Sequence, residues 1–297
     1  MNAHLVIGAD SFVGSSLAAI LLERDHCVYA STRRKDTLNS KRIYFDFLDG
    51  QPLELPSGVG HTYVVAAATN YGLCANDPKA RLINTVYTPR LVAFLLERGM
   101  FVTFVSSNSV FGGDTPWPHE DAKPHPQIPY AIQKCEAEKS ILGAARVLGL
   151  EHRLAIVRLT KVLDVETPPL SAWLEAWRQG KAVCPFMDLI FAPVSRRFAG
   201  EALAIISEKK VAGFLHVSGA DNVNYLDLAK LLARTLGVSS NLIKPTTATA
   251  MGVEIPFKPR YSGIGMERTT VYTGLRPQSL ADVARDLSNS FVTGQKG

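Results

Sequence analysis

The sequence predicts an α/β fold built on a doubly wound parallel sheet. Short apolar strands alternate with helical patterns through the first half of the 297-residue chain, and this alternation is typical of parallel sheets with helices on both faces. The first strand leads into a turn bracketed by Gly8 and Gly14, and a helix follows at once. A strand, a glycine turn and a helix in that order are typical of the Rossmann fold, in which the turn holds a dinucleotide.

The predicted elements follow one another in a regular order. Strands are predicted where short apolar runs are bounded by turn residues, over residues 4–7, 27–31, 43–45, 62–66, 101–106 and 153–158. Helices of suitable length and periodicity are predicted between them, over residues 14–23, 78–98 and 129–148. Beyond residue 158 the sequence predicts a short helix that opens at 168, a helix that ends at 206, a strand over 214–217, a helix over 225–236, an irregular segment over 239–277 and a last helix from about 279.

Composition argues against several classes of protein. The net charge of +5 is modest, and the basic residues are scattered without a stripe that would indicate a nucleic-acid partner. The four cysteines are far apart and no histidine stands at metal-ligand spacing, so we predict reduced thiols and no metal site. No apolar run is long enough for a membrane span, and the N-terminus lacks the features of a signal peptide. We therefore expect a cytoplasmic protein without a membrane partner.

The turn at residues 8–14 reads G-A-D-S-F-V-G. Its first glycine allows a tight turn, its last allows the helix to approach the sheet, and the N-terminus of the helix can bind a pyrophosphate. Ser11 stands where a middle glycine is usual. Two outcomes are open: its Cβ atom crowds the pyrophosphate, or its hydroxyl donates a hydrogen bond to it. The predicted cofactor-binding residues of the turn are Gly8, Ser11, Phe12, Val13 and Gly14.

A basic loop follows the second predicted strand. About 20 residues beyond the turn, a NAD-specific site would carry a carboxylate that binds the adenosine ribose. This chain has T-R-R-K at residues 32–35 instead. Guanidinium groups bind phosphate in a bidentate fork, so the loop suits the 2′-phosphate of NADP. We predict NADP (NADPH) as the cofactor, bound through Thr32, Arg33 and Arg34, and the alternative is a solvated basic loop.

Tyr130 and Lys134 are spaced as Y-x-x-x-K, and Ser107 ends the strand before them. Residues four apart lie on one helical face, so we expect the Lys134 ammonium to lower the pKa of the Tyr130 phenol from its free value of about 10. Ser107 is expected to hydrogen-bond a carbonyl oxygen while Tyr130 donates the proton. Ser106 and Ser109 are weaker candidates for this role. The three catalytic residues are thus predicted to be Ser107, Tyr130 and Lys134.

On these residues the chain resembles the extended short-chain dehydrogenase/reductase superfamily, and within it the dTDP-4-dehydrorhamnose reductase-like group. The turn is similar to the family's G-A-x-G-F-[IV]-G and departs from it at Ser11, while the predicted trio matches the family's catalytic residues. The resemblance implies adenine contacts from an acidic stretch at residues 46–49. It implies further contacts from a strand end in which Val64 replaces the usual histidine, and from a helix at residues 84–88. The cofactor-binding residues that it implies are Asp46, Ala66, Ala67, Ala68, Asn84, Tyr130 and Lys134.

The second half resembles the family more loosely. R-L-T at residues 158–160 stands where the family has an arginine-led strand end beside the nicotinamide. Residues 191–197 are like its P-V-x-V-x-D segment, with Arg196 and Arg197 where acids are usual. These arginines either offer charge to a diphosphate or form a solvated helix start. The substrate-binding residues that the resemblance implies are Ser107, Asn108, Thr160 and Arg196.

The resemblance implies an NADP-dependent oxidoreductase that acts on a nucleotide-linked sugar, and three functions stay open. The first is a reductase of a sugar keto group, the second a 4-epimerase, and the third a non-catalytic dinucleotide-binding subunit that regulates a partner. Dehydration is disfavoured because Asn108 and Ser109, not an acidic pair, follow the active-site serine. A homodimer also stays open. We expect residues 1–160, with a contribution from 190–222, to form the NADP-binding domain, and residues 161–189 and 223–297 to form the substrate-binding region.

Overall fold

A computed structural model of the chain describes residues 3–293, so the ends of the two expected domains at residues 1–2 and 294–297 lie outside the described residues. The strands are, in chain order, β1 (Ala3–Ile7), β2 (Val28–Thr32), β3 (Arg42–Tyr44), β4 (Val59–Val64), β5 (Phe101–Ser107), β6 (Leu154–Leu159), β7 (Lys161–Leu163), β8 (Ile190–Phe191), β9 (Pro193–Ser195), β10 (Gly213–Val217) and β11 (Val223–Asn224). The α-helices are α1 (Phe12–Glu23), α2 (Tyr71–Asn76), α3 (Pro78–Leu82), α4 (Thr88–Glu97), α5 (Pro129–Val147), α6 (Leu170–Arg178), α7 (Arg196–Glu208), α8 (Tyr225–Thr235), α9 (Glu267–Thr273) and α10 (Leu280–Thr293).

Seven of the strands form one sheet in the order β10-β6-β5-β4-β1-β2-β3, and every pairing in it is parallel. The strand order reverses between β1 and β4, because β2 and β3 lie on one side of β1 and the later strands on the other. Such a reversal opens a crevice at the carboxyl ends of the strands, where open α/β sheets bind ligands. The predicted α/β, doubly wound Rossmann fold is confirmed.

Helices cover both faces of this sheet. On one face α1 and α7 pack through a core that includes Leu17, Leu21 and Leu203. The two helices approach closely at Gly200, where a Cβ atom would lie 2.6 Å from the Ile20 side chain. On the other face α4 and α5 pack over the strands. Burial of apolar surface on both faces explains why the strands read as continuous apolar runs.

A third apolar cluster joins α6, α8 and α10 beside the sheet. Trp173 and Trp177 lie within it, buried, with their ring centroids 6.3 Å apart. They pack as part of the core. Within residues 3–293, no helix combines the length and the apolar character that crossing a membrane requires.

The short strands β7, β8, β9 and β11 were not predicted, and three helical features differ from the sequence-based expectation. The helix predicted over residues 78–98 is divided into α3 and α4 by a π-helical turn at Ile83–Tyr87. The short helix α2 begins after its N-cap Asn70 and was not predicted. The short helix α9 lies inside the segment predicted to be irregular. Both unpredicted helices have seven residues or fewer, too few for a hydrophobic period to appear in the sequence.

Candidate functional site

The glycine turn lies at the carboxyl end of β1, beside the reversal of strand order. Gly8 has a φ angle of +91°, and a Cβ atom there would lie 2.6 Å from the backbone nitrogen of Ala66. At Gly14 a Cβ atom would lie 2.2 Å from the carbonyl oxygen of Gly8. The turn therefore has its observed closed form only with glycine at both positions.

Ser11 is the N-cap of α1. Its Oγ atom accepts a hydrogen bond of 3.2 Å from the amide of Gly14, and its φ angle of −77° needs no glycine. Within residues 3–293 the amides of Phe12 and Val13 make no hydrogen bond, as expected of the first turn of a helix. The geometry fits a dinucleotide, because two free amides at a helix N-terminus can bind a pyrophosphate. The hydroxyl proton of Ser11 is not used in its bond with Gly14.

The predicted 2′-phosphate loop holds an ion cluster around Asp10. Asp10 Oδ2 accepts a hydrogen bond of 2.6 Å from Thr32, while Oδ1 lies 3.1 Å from Arg34 Nη2 and 2.5 Å from Arg42 Nη2. Burial alone would raise the pKa of Asp10, but the hydrogen bonds from Thr32, Arg42 and Arg34 hold it below its usual value. Arg33 is exposed. Arg42 was not predicted from the sequence, because only the pairing of β2 with β3 brings it to this loop.

The acidic stretch after β3 is folded back on itself. Asp46 is half-buried, and its Oδ1 atom accepts a hydrogen bond of 3.0 Å from the amide of Leu48. A hydrogen bond to Asp49 raises the pKa of Tyr44 to about 12. Asp46 lies close after β3, the outer strand beside β2, on the side of the sheet that carries the arginine cluster.

Asn84 and the strand end after β4, which comprises residues 66–68, hold each other in place. The Asn84 Oδ1 atom accepts from the amide of Ala68 at 3.0 Å, and its Nδ2 atom donates to the Ala68 carbonyl at 2.9 Å and to Gln133 at 2.9 Å. Ala66 is fixed from the other side by a hydrogen bond of 3.0 Å to Ile7. Ala67 lies between these two anchored residues, and the side chain of Asn84 is buried. Asn84 therefore positions the backbone of the predicted cofactor site through protein contacts.

The structure brings Ser107, Tyr130 and Lys134 together. Ser107 ends β5, and Tyr130 and Lys134 lie on the buried face of α5. The Nζ atom of Lys134 donates a hydrogen bond of 2.8 Å to the carbonyl of Val105, two residues before Ser107. Ser107 Oγ accepts hydrogen bonds from the amide of Ser109 at 3.2 Å and from its hydroxyl at 2.9 Å.

Burial dominates the ionisation of this trio. It raises the pKa of Tyr130, with a hydrogen bond to Ser107 acting in the opposite direction and the nearby Tyr71 and Cys74 adding to the rise. Burial also lowers the pKa of Lys134 to about 8, against the influence of Glu138 and Cys74. The expected lowering of the tyrosine pKa is thus wrong for the protein alone, because loss of water around the phenol outweighs nearby charge. At neutral pH the phenol is protonated.

Apolar groups surround the phenol. The ring of Tyr71 lies 5.5 Å from that of Tyr130, and Cys74, Ile128 and Phe257 pack in the same cluster. No motif in the sequence surrounds Tyr71 and Cys74 of α2 or Phe257 of the irregular segment, so these contacts could not be predicted. They keep the phenol in a largely apolar environment.

Asn108 connects the trio to the C-terminal region. Its Nδ2 atom donates hydrogen bonds to the carbonyl oxygen of Ser262 at 2.8 Å and to its hydroxyl at 3.1 Å. Asn222 in turn accepts from the amides of Ser262 and Gly263 at 2.7 and 2.8 Å. The segment around Ser262 is thereby held against Ser107. Thr160 is buried, and its Oγ1 atom accepts from the amide of Gly219 at 3.3 Å.

A buried ion pair lies directly behind the trio. Glu138 and Arg158 meet at 2.7 Å with side chains 4% and 2% exposed. Ser106 donates a hydrogen bond of 2.6 Å to the same carboxylate, so its hydroxyl is engaged away from the crevice. His216 contacts the guanidinium at 3.4 Å. Arg158 thus links the carboxyl end of β6 to α5.

Arg196 is the first residue of α7, and its side chain contacts the start of α1 and not the trio. Its Nε atom donates to the carbonyl oxygen of Phe12 at 2.8 Å, its Nη2 atom to the hydroxyl of Ser15 at 2.6 Å, and its Nη1 atom pairs with Asp164 at 3.2 Å. Arg197 pairs with Glu23 and Glu201 at the surface. The donors of Arg196 therefore all have partners within the protein, next to the turn at residues 8–14.

In the part of the chain that the structure describes, no group of three or more His, Cys, Asp or Glu residues is arranged to hold a metal ion.

Two curated relatives share weak but extended similarity with the chain. One is the methionine adenosyltransferase 2 subunit beta of Xenopus tropicalis, 26% identical over 219 residues, which are 66% of this chain and 62% of the relative. The other is the protein of the same name from Bos taurus, 25% identical over 273 residues, which are 85% of this chain and 78% of the relative. The match with the Xenopus tropicalis protein thus spans about three fifths of its length.

Solved structures share the fold at lower identity. The dTDP-4-dehydrorhamnose reductase from Yersinia enterocolitica aligns with a TM-score of 0.78 and 18% identity, covering 98% of this chain and 100% of that chain. MoeE5 in complex with UDP-glucose and NAD aligns with a TM-score of 0.76 and 20% identity, again covering 98% and 100%. Identities this low show the fold alone. The family model described as the RmlD substrate binding domain matches residues 1–290, and the chain therefore belongs to this family of extended short-chain dehydrogenase/reductases.

Proposed function

We propose that the protein is an NADP-dependent oxidoreductase that reduces a keto group on a nucleotide-linked sugar. One observation carries the proposal: Tyr130 is a buried, protonated phenol facing Ser107, with Lys134 fixed to the same strand. A protonated phenol is the form that donates a proton to a carbonyl oxygen. The named reductase and nucleotide-sugar structures support the substrate class.

The roles of the trio follow from its contacts. Tyr130 donates its Oη proton to the carbonyl oxygen of the substrate, and Ser107 donates a hydrogen bond to the same oxygen. The Ser107 hydroxyl is able to do so because its Oγ atom accepts both bonds from Ser109 and keeps its own proton. Lys134, with a pKa of about 8, is mostly protonated at neutral pH. It uses one donor on Val105, and two remain for the ribose of a cofactor and for the phenol.

NADPH supplies the hydride when it is bound. The groups that would hold it are the amides of Phe12 and Val13 at the pyrophosphate, Thr32 with Arg34 and Arg42 at the adenosine ribose, and the strand end after β4. Positively charged Arg34 and Arg42 favour a 2′-phosphate. Asp46 would lie toward the adenine, and Asn84 holds the strand end in position.

The C-terminal region closes the crevice on the substrate side. Phe257 packs with Tyr130, and Asn108 is bonded to Ser262. We assign residues 161–189 and 223–293 to substrate binding and residues 3–160 with 190–222 to the cofactor. Exclusion of water by these contacts strengthens hydrogen bonds to the reacting carbonyl. On this proposal Arg196 acts through α1, by fixing Phe12 and Ser15 beneath the pyrophosphate.

A second candidate is a dinucleotide-binding subunit of another enzyme. It is favoured by the curated relatives, which are named as the beta subunit of methionine adenosyltransferase 2. Such a subunit would use the same turn to bind a dinucleotide, and the trio would hold the nicotinamide ribose without turnover. The two candidates differ in whether hydride leaves the cofactor.

The deciding experiment is a turnover assay with purified protein. NADPH oxidation is followed by absorbance with a panel of 4-keto nucleotide sugars that differ in nucleotide and in sugar stereochemistry. A reductase consumes one NADPH per keto group and forms an alcohol. A 4-epimerase interconverts 4-hydroxy sugars without net consumption of cofactor, and chromatography of the products separates the two activities.

The control for this assay is Tyr272→Phe, which removes an exposed phenol on α9. It should match the wild type at every substrate. Binding of NADPH without turnover of any keto sugar, together with a co-purifying enzyme whose activity the protein changes, would replace the reductase proposal with the subunit.

A further inference from the structure

Asp10 connects the glycine turn to the carboxyl end of β2. It belongs to the glycine turn, yet its carboxylate reaches the carboxyl end of β2 and accepts the hydroxyl proton of Thr32 at 2.6 Å. A second contact ties the same elements, since the amide of Gly8 donates to Ser31 at 2.9 Å. The carboxylate therefore stands over the end of β2, where the adenosine ribose lies in dinucleotide-binding folds.

The two guanidinium groups of this cluster share one oxygen atom of that carboxylate. Arg34 comes from the loop after β2 and Arg42 from β3, and both contact Asp10 Oδ1. The other oxygen atom is taken by Thr32. Asp10 thus occupies the arginines in the protein alone, in the way that an anionic ligand would.

The cluster contains both a carboxylate and arginines, whereas a dinucleotide site normally carries one or the other at this place. A carboxylate at this place binds the ribose hydroxyls of NAD, whereas an arginine accommodates the 2′-phosphate of NADP. A 2′-phosphate that pairs with Arg34 and Arg42 approaches the negative charge of Asp10, and like charges brought together weaken binding. A free 2′-hydroxyl meets no such repulsion.

We propose that Asp10 is a specificity-determining residue, whose carboxylate competes with the 2′-phosphate for Arg34 and Arg42 and so limits the preference for NADP(H) over NAD(H). The inference rests on the proposed function, because it assumes a dinucleotide at this turn. It adds that the preference is set by the balance of two arginines against one acid and is smaller than the arginines alone would give.

The test compares dinucleotide affinities of Asp10→Asn and the wild type by calorimetric titration. The asparagine keeps the size and an acceptor oxygen for Thr32 but removes the charge. We expect the ratio of the NADH to the NADPH dissociation constant to rise by about tenfold, since a repulsive contact between like charges is lost. Arg42→Gln should move the same ratio in the opposite direction.

Asp36→Asn is the matched control, since Asp36 is an exposed acid of the same loop. It makes the same change in net charge and should leave the ratio unchanged. A second measurement uses adenosine 2′,5′-bisphosphate and adenosine 5′-monophosphate, which differ only in the 2′-phosphate. Asp10→Asn should tighten the first and leave the second within about twofold, because only the first brings charge to the arginines.

The outcomes separate this inference from the proposed function. If both dinucleotides bind and the ratio is unchanged in Asp10→Asn, or moves toward NADH, the inference is overturned and the cofactor proposal stands. If Asp36→Asn gives the same change as Asp10→Asn, the effect is one of net charge and the inference is again overturned. If the wild type binds neither dinucleotide nor the bisphosphate, the proposed function fails and the inference fails with it.

Discussion

Lys134 Nζ donates a hydrogen bond of 2.8 Å to the carbonyl oxygen of Val105. This contact joins the helix that carries Tyr130 to the strand that ends in Ser107. It fixes the spacing of the trio before any ligand arrives. The Phe104 ring lies 4.7 Å from the same ammonium group, so the amine is held between a carbonyl and an aromatic face.

The first prediction concerns pH. Burial lowers the pKa of Lys134 to about 8, so its positive charge is lost as pH rises through that value. We expect NADPH affinity to fall between about pH 7 and about pH 9, because the uncharged amine is a weaker donor to ribose. Titration of NADPH across this range checks it. Lys134→Arg keeps its charge throughout, so the same slope in that variant would contradict the assignment.

Ser11 provides the second prediction. Ser11→Ala removes the N-cap and should cost about 1 kcal/mol of unfolding free energy, whereas Ser11→Gly should cost only a few tenths. The free hydroxyl proton indicates a phosphate donor, so both variants should bind NADPH more weakly than the wild type. Urea unfolding and calorimetric titration measure the two effects. Tighter binding by Ser11→Gly would show instead that the Cβ atom crowds the pyrophosphate.

The third prediction concerns the buried ion pair of Glu138 and Arg158 behind the trio. Glu138→Gln leaves the Arg158 guanidinium without its charged partner and should reduce the free energy of unfolding by about 3–5 kcal/mol. Replacing both residues with leucine should cost less than the single change. The control is Glu136, which lies on the same helix as Glu138 and forms an exposed ion pair with Arg81 of α3. Glu136→Gln should cost about 1 kcal/mol or less. Equal losses in Glu138→Gln and Glu136→Gln would contradict the role of burial.

The fourth prediction concerns two histidines near the amino ends of β1 and β4. The rings of His4 and His61 are buried and stacked with centroids 4.7 Å apart. Burial, with the nearby His61 and His26, lowers the pKa of His4 to about 3. Burial, with the nearby Lys210 and His26, also lowers the pKa of His61. Unfolding lets these rings bind protons, so stability is full above about pH 6.5 and falls as pH is lowered toward about 3.

Urea unfolding at a series of pH values measures this slope. His4→Gln should flatten it, while the control His152→Gln, an exposed residue, should leave it unchanged. A slope that is the same in the wild type and in His4→Gln would contradict the account of the cluster.

Much of the fold could be predicted from the sequence, because strands and helices alternate along the chain in a regular pattern. Apolar runs of strand length separated by helical periods located all seven strands of the main sheet. The glycines at positions 8 and 14 could be assigned because they bracket a turn between a predicted strand and a predicted helix. The structure gives the physical reason for them, since a Cβ atom at these positions would lie 2.6 and 2.2 Å from its nearest neighbour. Short elements were missed, since α2 has six residues and α9 seven, and a helical period needs more.

The unpredicted parts of the site depend on contacts between segments that are distant in the sequence. Asp10 and Arg42 are 32 positions apart, and only the order β3-β2-β1 brings them together. The ionisation of Tyr130 was misjudged for a related reason: the Y-x-x-x-K spacing gives the position of the lysine but not the burial by Tyr71, Cys74 and Phe257. Distance along the chain contains no information on either contact.

The most direct test of the central claim is the turnover rate of Tyr130→Phe, measured beside its NADPH affinity. The variant keeps the ring that packs against Tyr71 and loses the proton donor. We predict a rate loss of about 10²–10⁴-fold, the usual contribution of a general acid, with NADPH affinity nearly intact. A loss below about tenfold with the same affinity would show that Tyr130 is not the proton donor.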